Sequence, residues 1–191
     1  MISRRRAGLA LASLLSLVGL SAMPAGATTV PTVHVTIQMF AFTPSSITAH
    51  LGTAVRWTND DSVAHTSTSY QGFWGSPHIA PGTSWARTFN QAGTFAYHCA
   101  IHTEMHGKVV VPMRASARTG GGVLVWARAA GHYDVQMERP HSTTWVTLRN
   151  TTSAESMTFN TKSTGRFLFR ARTHISSTVS SWSPAVAVTV G

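Results

Sequence analysis

Residues 93–111 read GTFAYHCAIHTEMHGKVVV. The stretch opens and closes with short runs rich in aromatic and β-branched side chains. Within these runs apolar residues alternate with others, and no helical periodicity is present. They predict two β-strands, at 93–97 and 107–112, joined by a loop. The loop contains Cys99, the only cysteine of the chain. The stretch therefore indicates a β-protein in which a thiol lies where a strand ends.

Alternation along the first of these strands predicts which side chains are buried. Because alternate side chains of a strand share a face, Phe95, Tyr97 and Cys99 are expected in the core. His98 is then expected on the opposite face, which makes it a poor ligand for a metal bound by Cys99.

The same pattern extends over the rest of the chain, where short alternating runs are separated by Gly, Pro, Asn and Ser clusters. The fold class predicted is all-β, with one β-sandwich in each half of the chain. Further strands are predicted at 33–39, 46–50, 54–59 and 84–89, and then at 123–128, 134–138, 145–148, 156–159, 166–173 and 185–190.

A change in composition divides the chain. From Arg114 small and basic residues lead to three glycines at 120–122, and apolar alternation resumes at Val123. We predict a first domain at 28–113, a linker at 114–122 and a second domain at 123–191. Each domain, at roughly 80 residues, is large enough to fold alone, so the two are expected to be separable.

The first residues predict export. Three arginines at 4–6 precede an apolar run at about 7–20, which ends in the small residues Ala25, Gly26 and Ala27. This is the pattern of a signal peptide, residues 1–27, cleaved after Ala27. The run is too short to span a membrane, and no second long apolar stretch follows. The sequence therefore predicts a secreted or periplasmic protein, at the exterior of the cell envelope, without a transmembrane segment.

Charge is unevenly distributed in the predicted mature chain. Residues 28–113 contain three basic and three acidic side chains, whereas residues 114–191 contain nine basic and three acidic ones. A basic domain favours contact with acidic surfaces such as a cell envelope. The simpler alternative is that these arginines are scattered over an ordinary solvated surface of the sandwich. Export argues against nucleic acid as a partner.

The loop after residue 98 offers metal ligands at regular spacing. His102 follows Cys99 by three residues, and Met105 follows His102 by three. His65, 34 positions before the cysteine, is the leading candidate for a second imidazole. Two histidines, one cysteine and a weak axial methionine are typical of blue copper. A zinc site of one cysteine and two histidines is the alternative, in which the methionine would be superfluous.

Further residues accompany these ligands in the order found in one known family. They are Phe40, Phe42, Pro44, Ile47, Gly52, Val55, Trp57, Asn59, Asp61, Pro81, Gly82, Phe89, Gly93, Thr94, Phe95, Tyr97, Gly107 and 109–111. With them, residues 30–113 resemble the cupredoxins, the small blue copper proteins, and most closely the amicyanin, pseudoazurin and plastocyanin group.

This resemblance implies a Greek-key β-sandwich and one type 1 copper centre, cycling between Cu(I) and Cu(II). It implies His65, Cys99, His102 and Met105 as the metal ligands, and one-electron transfer with redox partner proteins as the activity. Thr103 stands where the family usually has proline, and Thr66 where it often has asparagine. Neither difference removes a ligand.

The second half resembles a fibronectin type III module, an immunoglobulin-like sandwich. The resemblance rests on Tyr133, Val135, Trp145, Leu148, Gly165, Phe167, Phe169, Arg170, Arg172 and 181–186. Trp145, Phe167 and Phe169 are expected in its core. Such modules act as spacers or as binding surfaces, and the fold alone does not choose between them.

The function expected is that of an exported one-electron carrier, not an enzyme. An alternative is a copper-delivery protein, in which the metal is cargo and the second domain binds the copper acceptor. An enzyme is also conceivable, since the dipeptide His98-Cys99 occurs in copper nitrite reductases. The second half, however, supplies only His132, His141 and His174, in no ligand spacing. His78, His98 and His106 are expected to be surface histidines rather than a second metal site.

Overall fold

The structure, a computed structural model, describes residues 29–191. The predicted signal peptide therefore lies outside the described residues. Within them the regular secondary structure is entirely β, as predicted. The strands are β1 (Thr32–Gln38), β2 (Ala41–Thr43), β3 (Ser46–Thr48), β4 (Thr53–Asn59), β5 (Thr68–Ser69), β6 (Ser84–Phe89), β7 (Gly93–His98), β8 (His106–Val111), β9 (Arg114–Arg118), β10 (Gly121–Val125), β11 (His132–Glu138), β12 (Trp145–Thr152), β13 (Ser156–Asn160), β14 (Gly165–Ile175), β15 (Thr178–Val179) and β16 (Val186–Val190).

The first half is a sandwich of two four-stranded sheets. One sheet has the order β2-β1-β4-β6, and the other has the order β3-β8-β7-β5. The pairs β1–β4 and β3–β8 are parallel, and the remaining pairs are antiparallel. The inward side chains of both sheets form one apolar core, as an aligned sandwich requires. It includes Val35, Ile37, Phe42, Leu51, Val55, Trp57, Trp74, Phe89, Phe95, Tyr97, Val109 and Val111.

Strand β7 shows why this sequence forms the sandwich. Its even and odd positions alternate between a half-exposed and a buried face. Phe95, Tyr97 and Cys99 are buried, with at most 2% of their surface exposed, so the predicted orientation is confirmed. His98 lies on the other face, where its ring stacks on Tyr70 with centroids 4.3 Å apart. The thiol therefore lies at the inner end of the strand.

The second half is a smaller sandwich with its own core. A three-stranded sheet has the order β13-β10-β9. The other sheet has the order β12-β11-β14, with β15 and β16 both paired to β14. Phe167 and Phe169 are buried as predicted, but the prediction for Trp145 is wrong. Trp145 lies on the outer face of an edge strand, where the Arg170 guanidinium lies 4.0 Å from its ring centroid.

The segment 114–122 is not the open linker that its composition predicts. Residues 114–118 form β9, which pairs antiparallel with β10 through a tight turn at 119–120. Met113 is buried in the second core, with Ala115 packed against it. The chain therefore passes from β8 to β9 with only Pro112 and Met113 between them. The domain division itself stays a prediction, with its boundary shifted towards residue 113.

Backbone hydrogen bonds join the two sandwiches. Thr94 and Ser181 bond in both directions, at 2.9 and 3.1 Å. The N–H of Ala92 donates to the Trp126 carbonyl at 2.8 Å, and the hydroxyl of Thr173 donates to the Ala92 carbonyl at 2.7 Å. These contacts lie at the start of β7, whereas Cys99 follows its end. Six strand residues, about 20 Å of chain, therefore separate the junction from the thiol.

Among residues 29–191 there is no helix long and apolar enough to span a membrane.

Candidate metal centre

Three ligand atoms meet at the end of the first sandwich that is remote from the junction. The Cys99 Sγ lies 3.8 Å from the His65 Nδ1 and 3.7 Å from the His102 Nδ1. The two Nδ1 atoms are 3.1 Å apart. The structure thus brings together three of the four predicted ligands, which come from two segments that are distant in sequence.

His65 is positioned by the segment between β4 and β5. Its backbone pairs with Ile79 in both directions, at 2.8 and 3.2 Å. The Asn59 amide donates to the carbonyls of Val63 and Ile79, and the Asn59 side-chain oxygen accepts the N–H of Asp61. His65 is completely buried. Its position is therefore fixed by protein contacts alone.

The loop after β7 is closed by its own backbone. The Cys99 N–H donates to the Met105 carbonyl, and the Met105 N–H donates to the His102 carbonyl, both at 3.1 Å. Met105 is buried in the same core cluster as Cys99. His102 is only half-buried. The loop therefore buries Met105 in the core and leaves the His102 imidazole at the outer edge of the site.

Thr66 connects the two ligand segments. Its backbone N–H donates to the Cys99 Sγ at 3.3 Å, and its hydroxyl oxygen accepts the N–H of Ala100 at 2.7 Å. A hydrogen bond to the sulfur tunes the charge that the thiolate gives to a metal. Threonine in place of the usual asparagine therefore preserves the link between the segments.

Asp61 is a functional residue that reasoning from the ligand motif missed. Its carboxylate oxygen lies 3.1 Å from the His65 Nε2, and because an ionised carboxylate can only accept, Nε2 carries the proton. The Nδ1 of neutral His65 is then left as a lone-pair donor facing Cys99. Burial, and next the proximity of His102, lower the pKa of His65, which favours the neutral imidazole. An acidic residue four positions before the histidine was the available signal.

The same carboxylate holds a turn over the site. It accepts the N–H groups of Met39 and Phe40, at 2.7 and 2.9 Å. The pKa of Asp61 lies below its ordinary value, chiefly because of the hydrogen bond from Phe40. Partial burial raises this pKa, but the contacts with Met39 and His65 lower it further. Both turn residues have positive φ, 51° and 55°, which is strained for side chains of this size. Asp61 thus joins a predicted ligand to a strained turn.

Apolar side chains surround the outer edge of the site. The Phe40 ring meets the His102 ring edge-on, with centroids 4.9 Å apart, and the His65 ring at 5.6 Å. The large apolar side chains exposed on these loops are Met39, Phe40, Val63 and Ile101. We call these four the apolar rim. An exposed apolar patch of this kind is typical of a surface that meets another protein.

The donor set fits copper. The His65 Nδ1 lone pair, the His102 Nδ1 and the Cys99 sulfur converge in a buried space where, among residues 29–191, no lysine or arginine forms an ion pair with them. Mutually facing acceptors are costly without a cation. Imidazole together with thiolate and thioether favours copper over hard cations. A zinc site would use the same three atoms but leave the buried Met105 without a role.

Comparisons with known proteins agree with this geometry. A model of the family described as "Cupredoxin-like domain" matches residues 9–111. An amicyanin of Paracoccus denitrificans is 35% identical over 66 residues, which cover 32% of this chain and 50% of that protein. An amicyanin of Paracoccus versutus is 31% identical over 98 residues, which cover 48% of this chain and 74% of that protein. The chain thus spans half of the length of the first relative and about three quarters of the second.

A solved structure of an amicyanin variant in the Cu(I) form is also similar. It has 27% sequence identity and a TM-score of 0.41, and the match covers 42% of this chain and 81% of that one.

Proposed function

Because the chain belongs to the cupredoxin-like family, we propose that it is a one-electron carrier with a single type 1 copper centre. We propose His65, Cys99, His102 and Met105 as the ligands. The convergence of the Sγ and the two Nδ1 atoms within 3.1–3.8 Å carries the proposal. The burial of Met105 in the same core supports it as the axial ligand.

The protein's contribution to electron transfer is a rigid ligand set. Bound copper would supply the Cu(I)/Cu(II) couple. Asp61 fixes the tautomer of His65, Thr66 fixes the sulfur, and the closed loop fixes His102 relative to Met105. Because these contacts are made by the protein itself, the side chains need not rearrange when the charge of the site changes. Little rearrangement is the condition for fast transfer.

The proposed route to a redox partner passes through the outer edge of the site. His102 is the half-buried ligand, and the apolar rim surrounds it. A partner that covers the rim excludes water and approaches the imidazole directly. The proposed partners are redox proteins, and the proposed chemistry at this surface is carriage of an electron rather than catalysis.

The structure of the second sandwich supports a role as a spacer. Its strands form a three-stranded and a larger sheet around a separate core, which supports a fibronectin type III-like module. Its docking at the far end of β7 leaves the apolar rim open. We propose that the protein is exported with removal of residues 1–27 and works in the periplasm or outside the cell. There the second module would act as a spacer that holds the copper end away from the surface to which the protein attaches.

The experiment is a copper titration of the purified metal-free protein. We expect one equivalent of Cu(II) to give an intense blue copper–thiolate absorption that bleaches on reduction and returns on oxidation, with reversible voltammetry. Zn(II) loading is the control and should give no visible band. Tight binding without the band would contradict a type 1 centre. A site that binds only Cu(I) and gives it up rapidly to a chelating acceptor would indicate copper delivery instead.

A further inference from the structure

The end of the second sandwich that is remote from the first carries a cluster of basic side chains. It is formed where β9, β11 and β13 end and where β14 begins. The residues are Arg118, Arg139, Lys162 and Arg166, and we call them the basic pole. All four are exposed. The other end of the same strands contacts the first sandwich, so the basic pole faces away from the copper end.

Two adjoining cavities lie at the basic pole. A cavity of about 500 Å³ is lined by Arg139 and His141 and by the turn at 160–164, which contains Lys162. A second, of about 320 Å³, is lined by Arg139, His141 and Arg166. Arg118 donates to the Asn160 side chain at the edge of the first cavity. Arg139 and Arg166 therefore line the hollows directly, whereas Arg118 bonds a lining residue and Lys162 lies in a lining turn.

The charge of the basic pole is not neutralised by the described part of the protein. Within residues 29–191, the ion pairs join Asp61 to His65 and Asp134 to Arg172 and His174, and none includes a residue of the pole. Glu138 is the one acidic side chain that lines the cavities. Uncompensated cations on one surface raise the local concentration of anionic partners.

The lining of the larger cavity indicates the kind of anion. Hydroxyl groups and an amide form its wall, above an apolar floor. They belong to Thr161, Ser163, Thr164 and Asn160, and the floor to Met137, Phe159 and Phe167. Hydroxyl and amide groups pair with sugar hydroxyls, and guanidinium groups pair with carboxylate or phosphate.

The exposed apolar side chains of the protein lie elsewhere. Those on the described residues are Val30, Met39, Phe40, Val63, Tyr70, Ile101, Val123 and Val146. None of them lines either cavity at the basic pole. Insertion into a lipid surface requires exposed apolar side chains beside the basic ones, and single-stranded nucleic acid requires exposed aromatic rings. The observations therefore favour a hydroxylated polymer.

We propose that the basic pole binds an acidic polysaccharide. Arg139 is the central cation because it lines both cavities, and Arg118, Lys162 and Arg166 surround it. Bound in this way, the protein attaches by its second sandwich and presents the apolar rim to the surrounding solution. The proposal does not depend on copper, so its failure and the failure of the proposed function are separate results.

The test measures retention of the copper-loaded full protein on immobilised polygalacturonate over a salt gradient. The double variant Arg139→Gln/Arg166→Gln is compared with Arg56→Gln/Arg149→Gln, which removes the same charge from exposed positions outside the pole. We expect the pole variant to bind roughly five- to tenfold more weakly, as loss of two exposed charge contacts predicts. The control variant should bind within about twofold of the original protein.

Three outcomes would overturn the proposal. Equal weakening by both variants would show that only net charge matters. Equal retention on uncharged dextran would show that the anionic groups are not recognised. Tighter binding to phosphatidylglycerol vesicles or to single-stranded DNA than to polygalacturonate would assign the pole to a different partner. The far-ultraviolet circular dichroism and the thermal unfolding of each variant, unchanged from the original, confirm that both sandwiches are intact whether or not copper is bound.

Discussion

Two buried polar clusters in this protein each contain a histidine, and they differ in how their charge is balanced. In the second sandwich the Asp134 carboxylate accepts from the Arg172 Nε at 2.7 Å and from the Thr151 N–H at 2.8 Å, and it lies 2.9 Å from the His174 Nε2. Acceptor and donors are both supplied by the protein. In the first sandwich the His65 Nδ1 lone pair, the Cys99 sulfur and the His102 Nδ1 face one another, and the Thr66 N–H is a further partner of the sulfur.

The comparison shows that the balance of donors and acceptors, and not the presence of a histidine, distinguishes a ligand site from a structural cluster. A buried carboxylate satisfied by a guanidinium needs no further partner. The Cys99 sulfur receives one N–H, from Thr66, but no lysine or arginine of the described residues forms an ion pair with the sulfur or with the two imidazole nitrogens, and a cation would complete the cluster. Substitutions in one cluster, or in the surface above the first, can therefore be compared with substitutions in the other cluster as a reference.

The largest effect is expected from Cys99→Ser. Removal of the only thiol removes the charge-transfer partner of copper. We expect complete loss of the blue absorption and of reversible voltammetry. The reference is His174→Ala in the second cluster, which should retain both signals. A serine variant that kept the blue band would show that the band does not come from this sulfur.

Asp61→Asn should weaken metal binding without removing a ligand. The variant loses the carboxylate that fixes the His65 tautomer and holds the turn at residues 39–40. Loss of such an outer partner costs about 10–100-fold in metal affinity, and we expect a shifted absorption maximum as well. Competition with a copper chelator measures the affinity. The neighbouring Asp60→Asn is the matched control, and an equal loss in both would assign the effect to charge alone.

Asp134→Asn should lower the free energy of unfolding and leave the copper signal unchanged. It leaves Arg172 without its buried partner, a loss of about 1–3 kcal/mol. Denaturant unfolding at neutral pH, followed by tryptophan fluorescence, measures it. A variant that changed the blue absorption as strongly as Asp61→Asn would contradict the separation of the two clusters.

Acid should destabilise the protein partly through protonation of Asp134. Burial raises the pKa of Asp134, but the hydrogen bonds from Thr151 and Arg172 and the proximity of His174 outweigh it, so the folded pKa lies below the ordinary 3.8. The stabilisation is therefore complete above the unfolded pKa and is lost as the pH falls through the folded one. The stability difference between the original protein and Asp134→Asn should shrink below about pH 4. A difference that grew with acid would reverse the assigned direction.

The smallest effect is expected at the apolar rim. Phe40→Ala removes a ring that covers both histidines and forms part of the surface a partner would bury. Electron self-exchange between the reduced and oxidised protein, measured by NMR line broadening, should slow roughly two- to tenfold. Val146→Ala, at an exposed apolar position on the second sandwich, should have no effect. Equal rates for the original protein, Phe40→Ala and Val146→Ala would show that the apolar rim does not take part in electron transfer.

Alternation predicted the buried face of β7 from the sequence because a strand packed on one side must repeat every two residues. The same logic did not find β2 or β5, since two or three residues are too few to show a period, and the equally short β3 was predicted only within the longer run 46–50. It also failed at β9, whose residues, Arg-Ala-Ser-Ala-Arg, look like a linker. This strand lies at a sheet edge, where small and charged side chains are common and only the partner β10 decides the structure.

The position of the ligand motif was likewise available from the sequence, but its supporting contacts were not. The spacing of Cys99, His102 and Met105 is local. The sequence named His65 as the leading candidate for the second imidazole, and the resemblance agreed, but the distance between His65 and Cys99 depends on how two segments distant in sequence pack together. Asp61 entered only as part of the family pattern, because its role depends on which atom of His65 it meets.

X-ray absorption of the copper-loaded protein tests the central claim most directly. The account predicts one sulfur at short distance and two imidazole nitrogens around a single copper, with little change on reduction, and loss of the sulfur signal in Cys99→Ser. A copper bound by nitrogen and oxygen alone, with the thiol of Cys99 free, would contradict it.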